Sequence, residues 1–552
     1  MLHGYVPSYT IAQWGEAITE FVNNLYDMGA IGFQPFGRSN TDFQTVGESD
    51  ILRIRQLAID EYGADPRRIH LVGISMGGMG VWSLGGRYPD LFSSLSPCAG
   101  RTDYYYWKKL SPSELPRYKN VLIKSWNPVD RLANFRGQKM FIYHGREDLT
   151  VDVEHSHRIS ALFDKSGIAH ELHLLEGSHT AAFEVAKSRE FLERLEGQMH
   201  QSAASITLKA YLPSYAKRAW LSVPLIKNYS NPVRAEGKVV GPDIEIDVEN
   251  ALSVRISPWP GLLSPGQTVN VTVNGHQHRG LELTPDGIEI PLEQVPDTEY
   301  VKTPEMCGPV WQVTMRPFAL VYYDYVTRNR AEAFAGWWRD FAKGECRMFS
   351  TDELTPELEK AFDLVLLGDS SRNPYVASIA DKLPMKATET HFVLPNGKKY
   401  DRSNRGMMVL YPNPRAKDRM VLWCPGQLWG LRLPVNHKFD YVPDYMVFSP
   451  PDDMEEEEDT VLTAASLTPS GASTRNCSRL RMTSNNPPKR PNVFRRLYDW
   501  VLSLSKRKAP SGRLQVSPPP SPPSFPFPPT RYSYPCRSQG RGGPSSTQRS
   551  AP

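Results

Sequence analysis

The stretch Arg68 to Gly80, RIHLVGISMGGMG, restricts the possible folds of this chain more than any other. Ile69, Leu71 and Val72 make a short branched apolar run, the pattern of a buried strand. It ends in Gly73-Ile74-Ser75-Met76-Gly77, a G-x-S-x-G sequence, and small residues then lead into MGVWSLGGRYP, which suits a helix. Strand, tight glycine turn and helix form the context in which this pentapeptide makes a nucleophile elbow. The backbone crowds itself at such a turn, so side chains are excluded at the glycine positions. Ser75 is then lifted to the tip of a strand, with a helix N-terminus beneath it. A glycine-rich strand–helix turn carrying a passive serine is the competing reading.

The flanking sequence extends the same pattern. SDILRIRQLAIDEYG reads as an amphipathic helix with Ser49 as its N-cap and Gly63 as its stop. AITEFVNNLYDMG reads as a helix and IGFQPFG as a strand. LFSSLSPCAG, KMFIYHG and AHELHLLEG are further strands, and AAFEVAKSREFLERLEG closes the region as one helix. Strands alternating with helices predict a mostly parallel sheet covered on both faces, an α/β domain over about residues 1–200. In such a sheet functional groups gather beyond the carboxyl ends of the strands. Ser75 lies there, as do Asp148 after FIYHG and His179 after LLEGS. Their order, Ser then Asp then His, is the one used by α/β-hydrolases. His144, His155, His157, His170 and His173 compete for the role of base, and Glu147, Asp152 and Glu154 for that of the acid. His144 reads as a support for its loop. In the chemistry these groups permit, His179 takes the Ser75 proton, Asp148 fixes the imidazole, and the amides of Met76 and Tyr5 hold the developing oxyanion. Activity resting on a histidine base should fall as the imidazole protonates, around pH 6 to 7 for an ordinary histidine.

IHLVGISMGGMGVWSLGGRYPDLFSSLSPCAG, HGRED and EGSH together resemble the catalytic domain of the prolyl oligopeptidase family and its related esterases in the α/β-hydrolase superfamily, over roughly residues 1–195. The resemblance implies Ser75 as nucleophile, Asp148 as acid and His179 as base. It implies an acyl-transfer hydrolase with a peptide or ester substrate and no metal or organic cofactor. It also suggests a secreted or periplasmic protein, although the N-terminus carries no signal sequence. Two features depart from the family. There is no run of β-propeller repeats, and the His-Gly strand is cut to Met1 and Leu2. The strand at Ile31–Pro35 would then lack its inner neighbour, each unpaired buried group costing about 1–3 kcal/mol. An N-terminally incomplete hydrolase sheet is therefore expected.

Beyond residue 200 the pattern changes. ITLKAYLPSYAKRAWLSV, IEIDVENALSVRISPW and PGQTVNVTVNG alternate as strands do, with Asn274-Gly275 marking a hairpin, and predict a small β-sandwich-like module over 201–315. PFALVYYD, AEAFAGWWRDFAKG, DLVLLGD, GMMVLYPNP and RMVLWCPG predict a small α/β accessory region over 316–451, with Trp337, Trp338 and Phe341 in its core. This region resembles the C-terminal accessory part of large bacterial members of the same family. Gly368-Asp369-Ser370-Ser371 ends a strand where an anion can bind, but no G-x-G-x-x-G or Walker lysine accompanies it, so no nucleotide site is expected.

The formal net charge of +4 hides a division. From Ala465 onward there are about 15 Lys and Arg against Asp499 alone, so the body is mildly acidic and the tail basic. With SPPPSPPSFPFPP at its extreme, residues 452–552 read as a disordered Pro/Arg-rich tail, in which VFRRLYDWVLSLSKRK can form a basic amphipathic helix. A shifted reading frame after Ala465 is an alternative origin for this tail. No nucleic-acid partner is expected. No apolar run reaches a membrane span, and Cys98, Cys307, Cys346, Cys424, Cys477 and Cys536 are scattered without metal or disulfide spacing. The expectation is a serine hydrolase, peptidase or carboxylesterase, with a catalytically dead hydrolase acting as a binding protein as the non-enzymatic rival.

Overall fold

Four short strands build the N-terminal part: β1 (His70–Ile74), β2 (Ser94–Cys98), β3 (Lys139–Gly145) and β4 (Glu171–Leu175). They lie side by side in chain order and all run parallel, with Ile74 opposite Cys98 and Gly145 opposite Leu175. The structure is a computed structural model and describes residues 1–5, 19–200, 204–295, 301–430, 439–450 and 460–467. Parallel neighbours require crossover connections, which helices supply. Those of this region are α1 (Thr19–Asp27), α2 (Val46–Tyr62), α3 (Met76–Arg87), α4 (Tyr104–Lys108), α5 (Arg117–Lys124), α6 (Glu154–Lys165), α7 (Ala181–Lys187) and α8 (Arg189–Glu196). Successive strand residues point to opposite faces. Leu71, Leu95 and Ile142 therefore pack with Val81, Trp82, Ile159 and Phe163 of α3 and α6. Val72, Ile74, Phe141 and Tyr143 pack on the other face with Phe21, Ala182, Phe191 and Leu195 of α1, α7 and α8. Burial on both faces is why these strands read as continuous apolar runs.

Three local expectations are corrected. Ile31–Pro35 is irregular, not a strand. Among the described residues its apolar stretch has no extended neighbour to pair with: β1 meets only Leu2 on that side, through Leu2 N to Val72 O at 2.6 Å and Ile74 N to Leu2 O at 3.2 Å. The Phe33 carbonyl accepts instead from the Met1 amino group at 2.6 Å. The helix around SDILRIRQ starts at Val46, so Ser49 lies inside its first turn, while Gly63 ends it in the left-handed conformation at φ 66°. The closing helix is two helices, because Ser188 adopts an extended backbone and its hydroxyl accepts the Phe191 amide as N-cap of α8.

Beyond residue 204, two sheets face each other around the buried Trp220. One is five-stranded and holds Val233–Val240, Asp243–Glu249 and Thr268–Val273 at its centre; the other is four-stranded, with Leu221–Ile226 and Ala251–Ile256 inside. Asn274 (φ 49°) and Gly275 (φ 82°) make the hairpin turn from Thr268–Val273 to His276–Glu282. A seven-stranded mixed sheet follows, with Phe318–Tyr322, Asp363–Leu367 and Met420–Cys424 parallel at its middle. Trp338 is buried against it, with Trp337 and Phe341 half-buried alongside. At Gly368–Ser371, Asp369 pairs with Arg402 at 2.6 Å and Asn373 caps the six-residue helix that follows, so the peptide groups offered to an anion are already engaged. The last strand, Thr460–Ala465, pairs antiparallel with Tyr445–Ser449. It falls inside the segment expected to be tail from residue 452, because a short alternating strand after an acidic run carries little signal of its own. The expected disorder and basic helix of the tail lie outside the described residues. No helix among the described residues is long and apolar enough to cross a membrane.

Candidate active site

Ser75 follows the last residue of β1 and precedes the first of α3, at φ 56° and ψ −113°. A non-glycine residue is held there only when its surroundings over-determine it. The Ser75 amide donates to the Cys98 carbonyl at 2.8 Å, and its own carbonyl accepts the Met79 amide at 3.1 Å. Gly77 is required by close approach: a Cβ on it would strike the carbonyl of Leu2. Leu2 and Gly4 thus run alongside the turn, and a Cβ on Gly4 would stand 3.5 Å from that of Ser75. Met76 is buried in the first turn of α3, where amides lack intrahelical acceptors. Tyr5, the next residue after Gly4, is 41% exposed.

Asp148 stands three residues beyond β3 and His179 four beyond β4. The structure brings these two together. Asp148 Oδ2 is 2.6 Å from His179 Nδ1, and Oδ1 accepts the Thr150 and Val151 amides at 2.8 and 3.0 Å. Burial alone would raise the Asp148 carboxyl, but the hydrogen bonds from His144 and His179 and the Val151 amide outweigh it and hold it well below the usual carboxylate range. A carboxylate can only accept, so Nδ1 of His179 carries the proton in this pair. Its Nε2 is buried with no hydrogen-bond partner among the described residues. In the neutral ring that nitrogen is an available base.

The same carboxylate has a second histidine. His144 Nε2 lies 3.1 Å from Asp148 Oδ2 and 2.9 Å from the Val151 carbonyl, while Nδ1 lies 2.7 Å from Ser156 Oγ. Nε2 faces two acceptors and must donate. His144 is fully buried and supports Asp148. His155, another rival for the base, is buried with Nδ1 facing the Thr102 amide at 3.4 Å. His170 is bound to Ser160 Oγ at 2.6 Å, and His173 stacks on Tyr143.

One group at this rim was not singled out from the sequence. Beyond β2, the Arg101 guanidinium lies 5.5 to 5.8 Å from the rings of Tyr104, Trp107 and Trp126 and 3.5 Å from Asp42 Oδ2. The signal was available: RTDYYYW directly follows a strand end, where a charge among aromatic residues is worth noting. No group of acidic, histidine or cysteine side chains among the described residues is arranged to hold a metal.

Residues 37–196 match the prolyl oligopeptidase family. No curated protein matches the sequence. Among solved structures, a thermostable esterase is 19% identical, with 36% of this chain and 53% of that one covered at a TM-score of 0.27. The acylaminoacyl peptidase of Pyrococcus horikoshii is 17% identical, with 29% of each chain covered at a TM-score of 0.24. A ferulic acid esterase is 18% identical, with 35% of this chain and 83% of that one covered at a TM-score of 0.27. The chain spans about half the length of the first and less than a third of the second.

Proposed function

With residues 37–196 matching the prolyl oligopeptidase family, we propose that the chain is a serine hydrolase acting through an acyl-Ser75 intermediate on a peptide amide or carboxylic ester. The reading rests on the His179 ring. One nitrogen is fixed on Asp148 at 2.6 Å, and the other is buried and has no hydrogen-bond partner among the described residues.

Ser75 Oγ attacks the acyl carbon while His179 Nε2 takes its proton. Asp148 keeps the ring in the right tautomer and stabilises the imidazolium. The charge on the former carbonyl oxygen is met by the amides of Met76 and Tyr5, each such donor being worth about 3–4 kcal/mol. The tetrahedral intermediate collapses as His179 returns the proton to the leaving amine or alcohol. Water, activated by the same nitrogen, then releases the acid and restores Ser75.

The test is labelling of the full chain with a fluorophosphonate, followed by turnover of p-nitrophenyl esters and prolyl amides. Ser75→Ala should abolish labelling and lower turnover roughly 10⁴-fold or more. Faster turnover of the amides makes the chain a peptidase, and faster turnover of the esters an esterase. An unlabelled, inactive wild-type chain would reject the proposal in favour of a binding protein.

A further inference from the structure

A cavity of about 590 Å³ opens where α5 and the turn before it meet the first strands of the β-rich region. Arg117, Lys124, Lys209 and Arg234 line it, with Tyr211 beside them. Asp130 is the one carboxylate among the lining residues. Arg234 also contacts Glu249 at 3.2 Å, but both side chains are more than half exposed and such a pair is weak. Asp130, whose Oδ2 accepts from Asn127 Nδ2 at 2.7 Å, is a single negative charge against four positive ones. The cavity therefore holds an excess of positive charge.

Lys209 lines it from the β-rich side. It is half-buried on the strand Ser205–Ala210, and its main-chain amide is fixed by Asn134 Oδ1 at 2.7 Å. Burial pushes its ammonium below the ordinary lysine range, and Arg234, Lys124 and the buried Arg131 push the same way against Asp130. Holding like charges together in a partly desolvated cavity costs free energy, and an anion entering it removes that repulsion. Arg, Lys and tyrosine hydroxyl groups offer donors, and what they match is a compact, oxygen-rich ligand with more than one negative charge.

We propose that this cavity binds a small, multiply charged anion bearing phosphate or carboxylate groups. The residues that hold it are not those around Ser75, and the site does not depend on the hydrolase reading.

The test is calorimetric titration of the full chain with inorganic pyrophosphate and, separately, with citrate, at constant ionic strength set by sodium chloride. Saturable binding of at least one is expected, weakened about tenfold or more in Lys209→Gln and in Lys124→Gln. Preference for pyrophosphate identifies a phosphate ligand, and preference for citrate a carboxylate ligand. Arg117→Gln, on the exposed side of α5, carries the test if Lys209→Gln fails to fold. Absence of saturable binding of either anion, or affinities unchanged in the folded variants, would overturn the proposal.

Discussion

His144 donates from one nitrogen toward two acceptors, the Asp148 carboxylate and the Val151 carbonyl, and its other nitrogen meets the Ser156 hydroxyl. A buried ring fixed at both ends holds the same carboxylate oxygen, Asp148 Oδ2, that His179 contacts. On the proposed mechanism His144 is a positioning residue, because it touches only the acid of the triad. Removing it should leave Ser75 reactive but allow the acid and base to drift. A misplacement of about 1 Å can cost roughly a hundredfold in rate. His144→Ala should lower kcat by about ten- to a hundredfold with KM little changed, and should shift the acid limb of the kcat profile. Fluorophosphonate labelling should slow but persist. His144→Gln, whose amide can still donate to Asp148, should recover part of the loss. A kcat within twofold of wild type in His144→Ala would remove His144 from the mechanism.

At the scale of elements, His155 ties α6 to the connection after β2. Its Nδ1 faces the Thr102 amide, and the Thr102 hydroxyl donates to the His155 carbonyl at 2.8 Å. Burial first, then Arg101 and His144, lower the imidazole from 6.5 to about 4. Burial lowers His70 on β1 to about 4 as well. Both rings are neutral when folded. As pH falls below 6.5 the unfolded chain takes up these protons first, so stability is lost between about pH 6.5 and 4, by up to about 3 kcal/mol for each ring. The melting temperature should drop across that window, and His155→Gln should flatten part of the drop. An unchanged slope in the variant would refute the assignment. Elements were legible where the sequence met the fold on both faces. β1 reads as a strand because Leu71 and Val72 are buried on opposite sides, and Ser75, Asp148 and His179 stand out because each follows a strand end. Ile31–Pro35 has strand residues, but pairing needs a neighbour that composition does not reveal, and Ile31 is half exposed. The break at Ser188 was hidden because AAFEVAKSREFLERLE contains no Gly or Pro to mark it. His144 was recognised as a support, but the atoms it holds come from residues 148, 151 and 156, whose convergence only the folded loop reveals.

Across the whole molecule, the parallel sheet and the β-rich region meet over one buried carboxylate. Glu48 of α2 is fully buried; it accepts from Arg87 at the end of α3, from Tyr88 at 2.7 Å and from Tyr215 at 2.9 Å. Tyr215 belongs to the β-rich region, and its ring lies 4.6 Å from the Arg87 guanidinium and 5.9 Å from that of Arg131. Arg131 is also buried. It donates to the Ser125 carbonyl at 2.6 Å, but its Nε and Nη2 have no partner among the described residues. Burial, then the neighbouring Arg87, bring it down to about 9. One carboxylate therefore offsets two guanidinium groups. Glu48→Ala would leave both without a counter-charge, and breaking a buried pair in this way costs about 3–5 kcal/mol. Tyr215→Phe removes a single hydrogen bond to a charged group and should cost about 1.5–3 kcal/mol. The two losses should not add, because both act through the same oxygen atoms. Arg131→Met behaves differently, since an apolar side chain of similar volume relieves an ion with unmet donors, and replacements of this kind are often neutral or stabilising. Introduced into the Glu48→Ala background, it should restore part of the lost stability, measured by urea denaturation of the four variants. If Glu48→Ala unfolds at the wild-type midpoint, or if Arg131→Met deepens its loss, the carboxylate is not what joins the two regions.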